Sequence, residues 1–416
     1  MSAATMIRCA EVRFVKELYP RIRPIDEVVE RYRDAIDNLP AIAVARDGLL
    51  VDGYHRWQAH VREGRDEIAA ENLGNLTDAE IIRESIRRNA DHGQQLSRQD
   101  KQRMAGYLWS ALAHLPNGER VDDIAATLAV SRDAVERWTK ETRQTEREAA
   151  QAAAWDMWLD CASQTTIAEA IGVEQRTISN WLEKIRDCGK FLEQPDSRQH
   201  FDIWQFQTAD QDAGQQSYFG AVPPQVVENL LWFFTEPGEI VVDLFAGSGT
   251  TIDVAKRMGR RVWASDIRGD YYSPHLPIHT HDAITCWPPA APRSADLIFL
   301  DPPYWQQAAG RYSFDANEMA EMALVEFMAA WDCVVENITG RAKRIAYIIS
   351  PTQNEDGSVV DHATAMLGSF AFRGWHVERR IIVPYSTQQA SGQQVTWARE
   401  NKRMLKLYRD LVVLTP

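Results

Sequence analysis

IVVDLFAGSGTT, residues 240–251, is an apolar run that breaks into glycines and then into the helical pattern TTIDVAKRM (250–258). A short run this rich in β-branched residues predicts a strand buried on both faces, as in a parallel sheet. Gly247 and Gly249 allow backbone amides to approach a ligand at the N-terminus of the next helix. Working outward, VENLLWFF (227–234) predicts a helix before the run, and RRVWASDI (260–267) a strand after it. ADLIFLDPPYW (295–305) predicts a strand that opens into a loop, and RIAYIIS (344–350) a further strand. Strands alternating with helices predict a mostly parallel sheet.

Two carboxylates fall where such a sheet places its ligands, beyond the carboxyl ends of strands. Asp266 ends the strand one βα unit after the glycines, where a carboxylate can accept both hydroxyls of a ribose. Asp301 ends ADLIFL and is followed by Pro302, Pro303 and Tyr304. Two consecutive prolines fix the backbone and remove two amide donors, so the loop presents acceptors. A row of acceptors suits an amino group. An aryl amine is a weak nucleophile because its lone pair is delocalised into the ring. Hydrogen bonds from its N–H groups to Asp301 and the Pro302 carbonyl favour a tetrahedral nitrogen, whose lone pair can attack a methyl sulfonium in line. Tyr304 can stack on a base drawn out of a duplex. The bland alternatives are a surface acid at 266 and an aromatic-plugged turn at 301–304.

These residues carry a resemblance. Residues 217–416 resemble the DNA amino-methyltransferases, which make N6-methyladenine or N4-methylcytosine. Phe245, Ala246, Gly247, Ser248, Gly249 and Thr250 match that family's cofactor motif, and Asp301 to Tyr304 its catalytic motif. The resemblance implies S-adenosylmethionine as cofactor, DNA as partner and a Rossmann-like α/β domain. Asp243 and Asp266 fall in the implied cofactor site, together with Asp282 of HTHDAIT (279–285), the counterpart of an acid that meets the cofactor adenine. Gly220 to Pro224 resembles the segment that packs over the cofactor's methionine end. An aspartate-led catalytic motif points to adenine N6; cytosine N4 and a regulatory protein with a lapsed catalytic domain stay open. The cofactor motif precedes the catalytic one, and no sizeable target-recognition insert is visible. RIIVPYSTQQASGQQVTWARENKRMLKLYRDLVVL (380–414) predicts closing strands with a basic loop, and Arg399, Lys402 and Arg403 are candidate DNA contacts.

The front of the chain is different. RCAEVRFV (8–15) predicts a strand, DEVVERYRDAI (26–36) a helix, and AIAVA and LLVDG a hairpin around Asp47-Gly48; a helix, YHRWQAHVREG (54–64), follows. Asp52, Gly53, Tyr54, His55 and Arg56 resemble the phosphate-cradling turn of the ParB-like domain of partition proteins and sulfiredoxins. That resemblance implies an α+β fold over 1–92, with Gly53, His55 and Arg56 in the turn. It also implies a nucleotide, CTP, as a candidate ligand. His55 replaces one of the two consecutive arginines of nucleotide-binding relatives, and Glu84-Ser85 stands where Glu-Asn is expected before Arg88. The turn contains no cysteine, which excludes sulfiredoxin chemistry.

Residues 93–190 predict an all-helical region that contains a repeat. DIAATLAVSRDAVERW (123–138) aligns with TIAEAIGVEQRTISNW (166–181) at a constant offset of 43 residues, Ile124 on Ile167 and Trp138 on Trp181. Each copy reads as helix, tight turn, helix: the helix-turn-helix pattern. On the second helices, Arg132 and Arg137, and Arg176 and Asn180, are placed to reach base edges; helices that touch only protein are the alternative. RESIRRNADHGQQLSRQDKQR (83–103) adds a basic run in which Arg87 and Arg88 are candidate phosphate contacts. RDCGKFLEQPDSRQH predicts a linker, centred on 191–200, ahead of a methyltransferase domain at 201–416.

Composition bounds the rest. The 416 residues exceed one domain, at roughly 100–200 residues each. The net charge of −13 argues against a uniformly basic surface, but binding depends on where the positive charge lies. No apolar run is long enough to predict a membrane span, MSAATMIRCAEVRF has no signal-like core, and a cytoplasmic location is expected. The five cysteines (9, 161, 188, 286 and 333) lie far apart, outside metal-ligand spacing, so no metal site is predicted.

Overall fold

The computed structural model describes residues 4–21, 26–91, 96–187, 199–206, 213, 222–269, 271, 273–306, 319–354, 358–385 and 391–416. The expected linker lies largely outside them, as do Gly220 and Ala221. The chain forms two compact units, Met1–Ala149 and Ala150–Pro416.

The first unit begins with a four-stranded sheet. Its strands are β1 (Thr5–Arg8), β2 (Ile42–Ala45), β3 (Leu49–Asp52) and β4 (Glu67–Asn72), in the order β1-β4-β2-β3. Helices α1 (Asp26–Arg33), α2 (Tyr54–Arg62) and α3 (Asp78–Asp91) accompany it. The predicted hairpin is β2–β3: Asp47 (φ 51°) and Gly48 (φ 70°) both take left-handed backbone, as a tight hairpin turn requires. A Cβ at residue 48 would meet the Glu11 carbonyl oxygen at 2.3 Å, so glycine is needed twice over. The strand predicted over RCAEVRFV is displaced. β1 ends at Arg8 and Cys9–Glu11 makes a 3-10 turn, because the Cys9 amide bonds the Asp66 carbonyl and the Val12 amide bonds Cys9.

Helices α4 (Arg98–Ala111), α5 (Asn117–Leu128) and α6 (Arg132–Trp138) complete this unit with the start of α7 (Lys140–Leu159). Helices α8 (Gln164–Ile171) and α9 (Gln175–Asp187) follow. The repeat is reproduced in the backbone. Ala129 (φ 47°) ends α5 and Gly172 (φ 76°) ends α8, both left-handed. The amide after each turn bonds equivalent carbonyls, Val130 to Ala125 and Val173 to Ala168. Each copy also packs on a preceding helix outside the aligned stretch. Ile124, Leu128 and Val135 pack on Met104, Leu108 and Trp109 of α4. Ile167, Ile178 and Trp181 pack on Ala154 of α7 with Trp155 and Trp158. The sequence groups 93–190 as one region, whereas the compact units divide inside α7, leaving one copy in each.

The second unit is built on a seven-stranded sheet flanked by helices α10 (Pro224–Phe234), α11 (Thr250–Arg257), α12 (Leu324–Ile338) and α13 (His362–Ala371). Its strands are β5 (Ile240–Asp243), β6 (Arg261–Asp266), β7 (Ile278–Thr280), β8 (Ala295–Leu300) and β9 (Ala342–Ile349). β10 (Thr352–Gln353) and β11 (Val359–Val360) pair only with each other. After them, β12 (His376–Pro384), α14 (Gly392–Glu400) and β13 (Tyr408–Thr415) close the chain. The sheet order is β12-β13-β9-β8-β5-β6-β7, parallel from β7 through β9, with β13 antiparallel. Two apolar layers cover its faces. In one, α10 buries Val226, Val227, Leu230 and Leu231. In the other, α12 buries Phe327, Trp331, Val334, Val335 and Ile338 at helical spacing, each worth about 1.5–3 kcal/mol.

Candidate active site

Strand direction gathers the chemistry at one sheet edge. The parallel strands β5 to β9 end there; antiparallel β13 starts there, and β12 ends there because it is antiparallel to β13. The chain leaves β5 toward β6 and β7, then returns to the other side of β5 as β8. That reversal opens a crevice between β5 and β8, where open α/β sheets bind ligands.

On the β5 side, the glycine loop and the acids are tied together. Asp243 accepts the Phe245 amide at 2.9 Å and the Thr251 hydroxyl; burial and the nearby Asp266 raise its pKa to about 6. Asp266 accepts the Gly247 amide at 3.0 Å on one oxygen and the Arg268 amide at 3.0 Å on the other. Burial outweighs these bonds and raises its pKa too. A carboxylate has about four lone-pair sites, so Asp266 keeps acceptor capacity for hydroxyls. Gly249 (φ 88°) precedes α11 and touches the Leu276 side chain, which a Cβ would meet at 2.3 Å. Ala246, Ser248 and Thr250 are buried in this turn, while the Phe245 ring packs on the α12 layer. Asp282 follows β7 and accepts the Ile284 amide at 3.0 Å. Asn337 of α12 pins that loop through the Ala283 and Ile284 carbonyls at 3.0 and 3.1 Å, a role the sequence did not signal.

On the β8 side, Asp301, Pro302, Pro303 and Tyr304 leave the strand directly. Burial raises the Asp301 carboxyl to about 7, opposed by Arg409 and reinforced by Asp243. The Tyr304 hydroxyl is buried without a hydrogen bond of normal geometry among the described residues, although Asp301 and Arg409 both act on it; burial first, then Asp301, raises its pKa. Trp305 anchors the loop, donating to the Met322 carbonyl at 2.8 Å while its own carbonyl accepts the Thr352 hydroxyl at 3.1 Å. Behind it, the buried His362 shares a hydrogen bond with Thr352 at 3.0 Å. Arg409, Lys406, Tyr385 and Ser350 complete this end. Lys406 donates to Ser350 at 2.7 Å, and burial followed by Arg409 lowers its pKa to about 8. None of these four is legible in the sequence. A buried arginine on a closing strand is a tertiary fact.

Arg399, Lys402 and Arg403, at and after the end of α14, are exposed and form no ion pair within 4.0 Å among the described residues. Arg87 and Arg88, also expected at DNA, have acidic partners. Arg87 makes two bonds to Glu84, at 2.8 and 2.6 Å; Arg88 pairs with Glu84 at 2.6 Å and Glu71 at 2.9 Å. Arg83 pairs with Asp123 at 2.6 Å, so these three arginines of α3 each have an acidic partner. Arg132 is paired with Asp122, while Arg137, Arg176 and Asn180 are exposed. In the front turn, Gly53 (φ 98°) opens α2 as expected. Arg56 is buried, bonded to Asp52 at 2.6 Å and the Ala41 carbonyl at 3.0 Å. His55 is partly buried, and burial and then Arg21 lower its pKa.

Among the described residues, no cluster of three or more metal-ligating side chains occurs, and no helix is long and apolar enough to cross a membrane. A family model described as DNA methylase matches residues 116–274, a span that holds the glycine loop and Asp266 and stops before Asp301. The chain is 31% identical over 71 residues to the Type II methyltransferase M.BglII of Bacillus subtilis, covering 17% of this chain and 20% of that protein. It thus spans about a fifth of the length of that curated relative. Among solved structures, it is similar to a SAM dependent methyltransferase from Archaeoglobus fulgidus (11% identity, 46% of this chain and 94% of that one, TM-score 0.29). A second is a cyclopropane-fatty-acyl-phospholipid synthase-like protein from Lactobacillus casei (13% identity, 49% and 95%, TM-score 0.30). A third is the C-terminally truncated chromosome-partitioning protein ParB from Caulobacter crescentus, complexed with CTP-gamma-S (20% identity, 33% and 77%, TM-score 0.21).

Proposed function

We propose that this protein methylates DNA on the exocyclic nitrogen of a base drawn out of the duplex, and that the base is adenine, modified at N6. The observation that carries the reading is the placement of Asp301, Pro302, Pro303 and Tyr304 at the end of β8, across the β5–β8 crevice from the glycine loop and Asp266. The cofactor is S-adenosylmethionine, which supplies a methyl group on a positively charged sulfur. The residues suit it: Asp266 keeps lone pairs for ribose hydroxyls beside the Gly247 amide. Asp282 stands at the same edge for the adenine end.

Asp301, as a carboxylate, accepts an N–H of the target amine; the Pro302 carbonyl accepts the other. The amine lone pair is thereby freed toward the cofactor side. Tyr304 offers its ring for stacking on the base. Arg399, Lys402 and Arg403 take the phosphates beside the crevice, and exposed Arg176 and Asn180 of α9 read base edges. The ParB-like reading of residues 1–92 and its nucleotide stay part of this proposal through the turn of Gly53, His55 and Arg56.

The test is nucleoside analysis of DNA incubated with the full chain and isotope-labelled S-adenosylmethionine. N6-methyldeoxyadenosine is expected from the natural protein and none from Asp301→Ala, whose cofactor affinity should stay within a few-fold. N4-methyldeoxycytidine would overturn the choice of base, and an active Asp301→Ala the mechanism.

A further inference from the structure

Arg409 is 4% exposed, at the start of β13, on the crevice edge of the sheet. Its guanidinium carbon lies over the Tyr385 ring, 4.6 Å from its centre, and its Nε has no hydrogen-bond partner among the described residues. The neighbouring acid on the strand, Asp410, is already held by Arg380 at 2.9 Å. A buried cation without a counter-charge is costly, so such a residue is paired or serves a charge that develops nearby. The groups that face Arg409 are Asp301, Tyr304 and Tyr385, with Lys406 alongside.

We propose that Arg409 is a positioning residue for methyl transfer, holding Asp301 as a carboxylate and fixing the Asp301–Tyr304 loop against the target amine. The inference rests on the role given to Asp301 above. Asp301 is faced by Arg409 from β13, by Asp243 from β5 and by Tyr304 from its own loop. Burial and Asp243 both favour the neutral acid; Arg409 is the full positive charge that opposes them. A protonated Asp301 would offer a donor where the amine needs an acceptor, and transfer would stop. Without Arg409, burial and Asp243 would favour the protonated carboxyl with that opposing charge removed.

The experiment is single-turnover transfer of tritiated methyl from S-adenosylmethionine to genomic DNA from a methylase-deficient host, followed as a function of pH. The proteins are the full chain, Arg409→Met, Arg409→Gln, Arg409→Lys and Asp243→Asn, with Asp301→Asn as reference. The acidic limb should move up by about 1–3 pH units in the Met and Gln variants, with a loss of at least about tenfold at pH 7 that recovers at high pH. Arg409→Lys should keep the limb near its natural position, and Asp243→Asn should move it down. A uniform loss with an unmoved limb, in whichever neutral variant folds, would make Arg409 structural and overturn the proposal. If neither neutral variant folds, an unmoved limb in Asp243→Asn overturns it. A natural rate in Asp301→Asn would strike the reading of Asp301 itself, a distinct failure.

Discussion

The two sides of the β5–β8 crevice are built from opposite materials. The β5 side uses backbone: the Phe245 and Arg268 amides meet Asp243 and Asp266 two residues away, and the Gly247 amide meets Asp266 from the adjoining loop. The β8 side draws on side chains from afar: the charge of Arg409, on β13, acts on both Asp301 and Tyr304. The difference matches what each side is asked to do. A ribose can be recognised by a fixed carboxylate and a close backbone. A reacting amine needs an acceptor whose charge state is tuned, and tuning takes charges from several strands.

The sharpest way to break this division is to remove one acid from each side. Asp301→Ala should lose methyl transfer by at least about a hundredfold at saturating cofactor, the scale of one preorganised hydrogen-bonding group lost from a reacting centre. Asp266→Ala should instead weaken cofactor binding by about 10–100-fold, from on the order of 1–3 kcal/mol of lost hydrogen bonds, with most of the saturated rate kept. Calorimetric cofactor titration beside rate measurement checks both. If each variant damaged binding and rate alike, the two sides would be one site without division of labour.

Stability should also separate the sides with pH. Asp301 has its pKa raised to about 7, so its contribution to stability is full below the ordinary carboxylate range and is lost as pH rises through about 7. Asp301→Asn should therefore stabilise the fold by on the order of 2 kcal/mol at pH 8 and by little at pH 4. Thermal melts at the two values test this; an equal effect at both would mean the carboxyl is not held against its charge.

This contrast explains what the sequence could disclose. Buried parallel strands read as apolar runs, and a glycine that must meet Leu276 at close range has no substitute, so the β5 side and the start of the Asp301–Tyr304 loop are visible in IVVDLF-AGSG and ADLIFL-DPPY. Arg409 is not, because nothing local distinguishes a buried arginine in YRDLVVL from an exposed one. The partners of the basic run 83–103 are hidden for a related reason. Glu71 and Asp123, which neutralise Arg88 and Arg83, lie outside it. The repeat showed its turns but not the helices that precede it, α4 and α7, whose packing on the two copies is tertiary.

Smaller effects sharpen the β8 side. Neutralising Arg399, Lys402 and Arg403 together should flatten the salt dependence of DNA affinity by about 0.9 in logarithmic slope for each phosphate no longer neutralised, and leave the methylated base unchanged. A filter-binding salt titration would show it, and an unchanged slope would place the DNA elsewhere. Tyr304→Phe should fall within a few-fold of the natural rate and Tyr304→Ala well below it, since stacking, worth roughly 1–3 kcal/mol per base, belongs to the ring. Equal losses would assign the work to the buried hydroxyl instead.

The central claim is that the Asp301 carboxylate meets an amine on a base. Its most direct measurement is mass analysis of nucleosides from DNA treated with the full chain and deuterated-methyl S-adenosylmethionine, beside Asp301→Asn under the same conditions. The account predicts labelled N6-methyldeoxyadenosine from the first and none from the second. Label on a ring carbon, or on the amine in equal amount from both proteins, would contradict it.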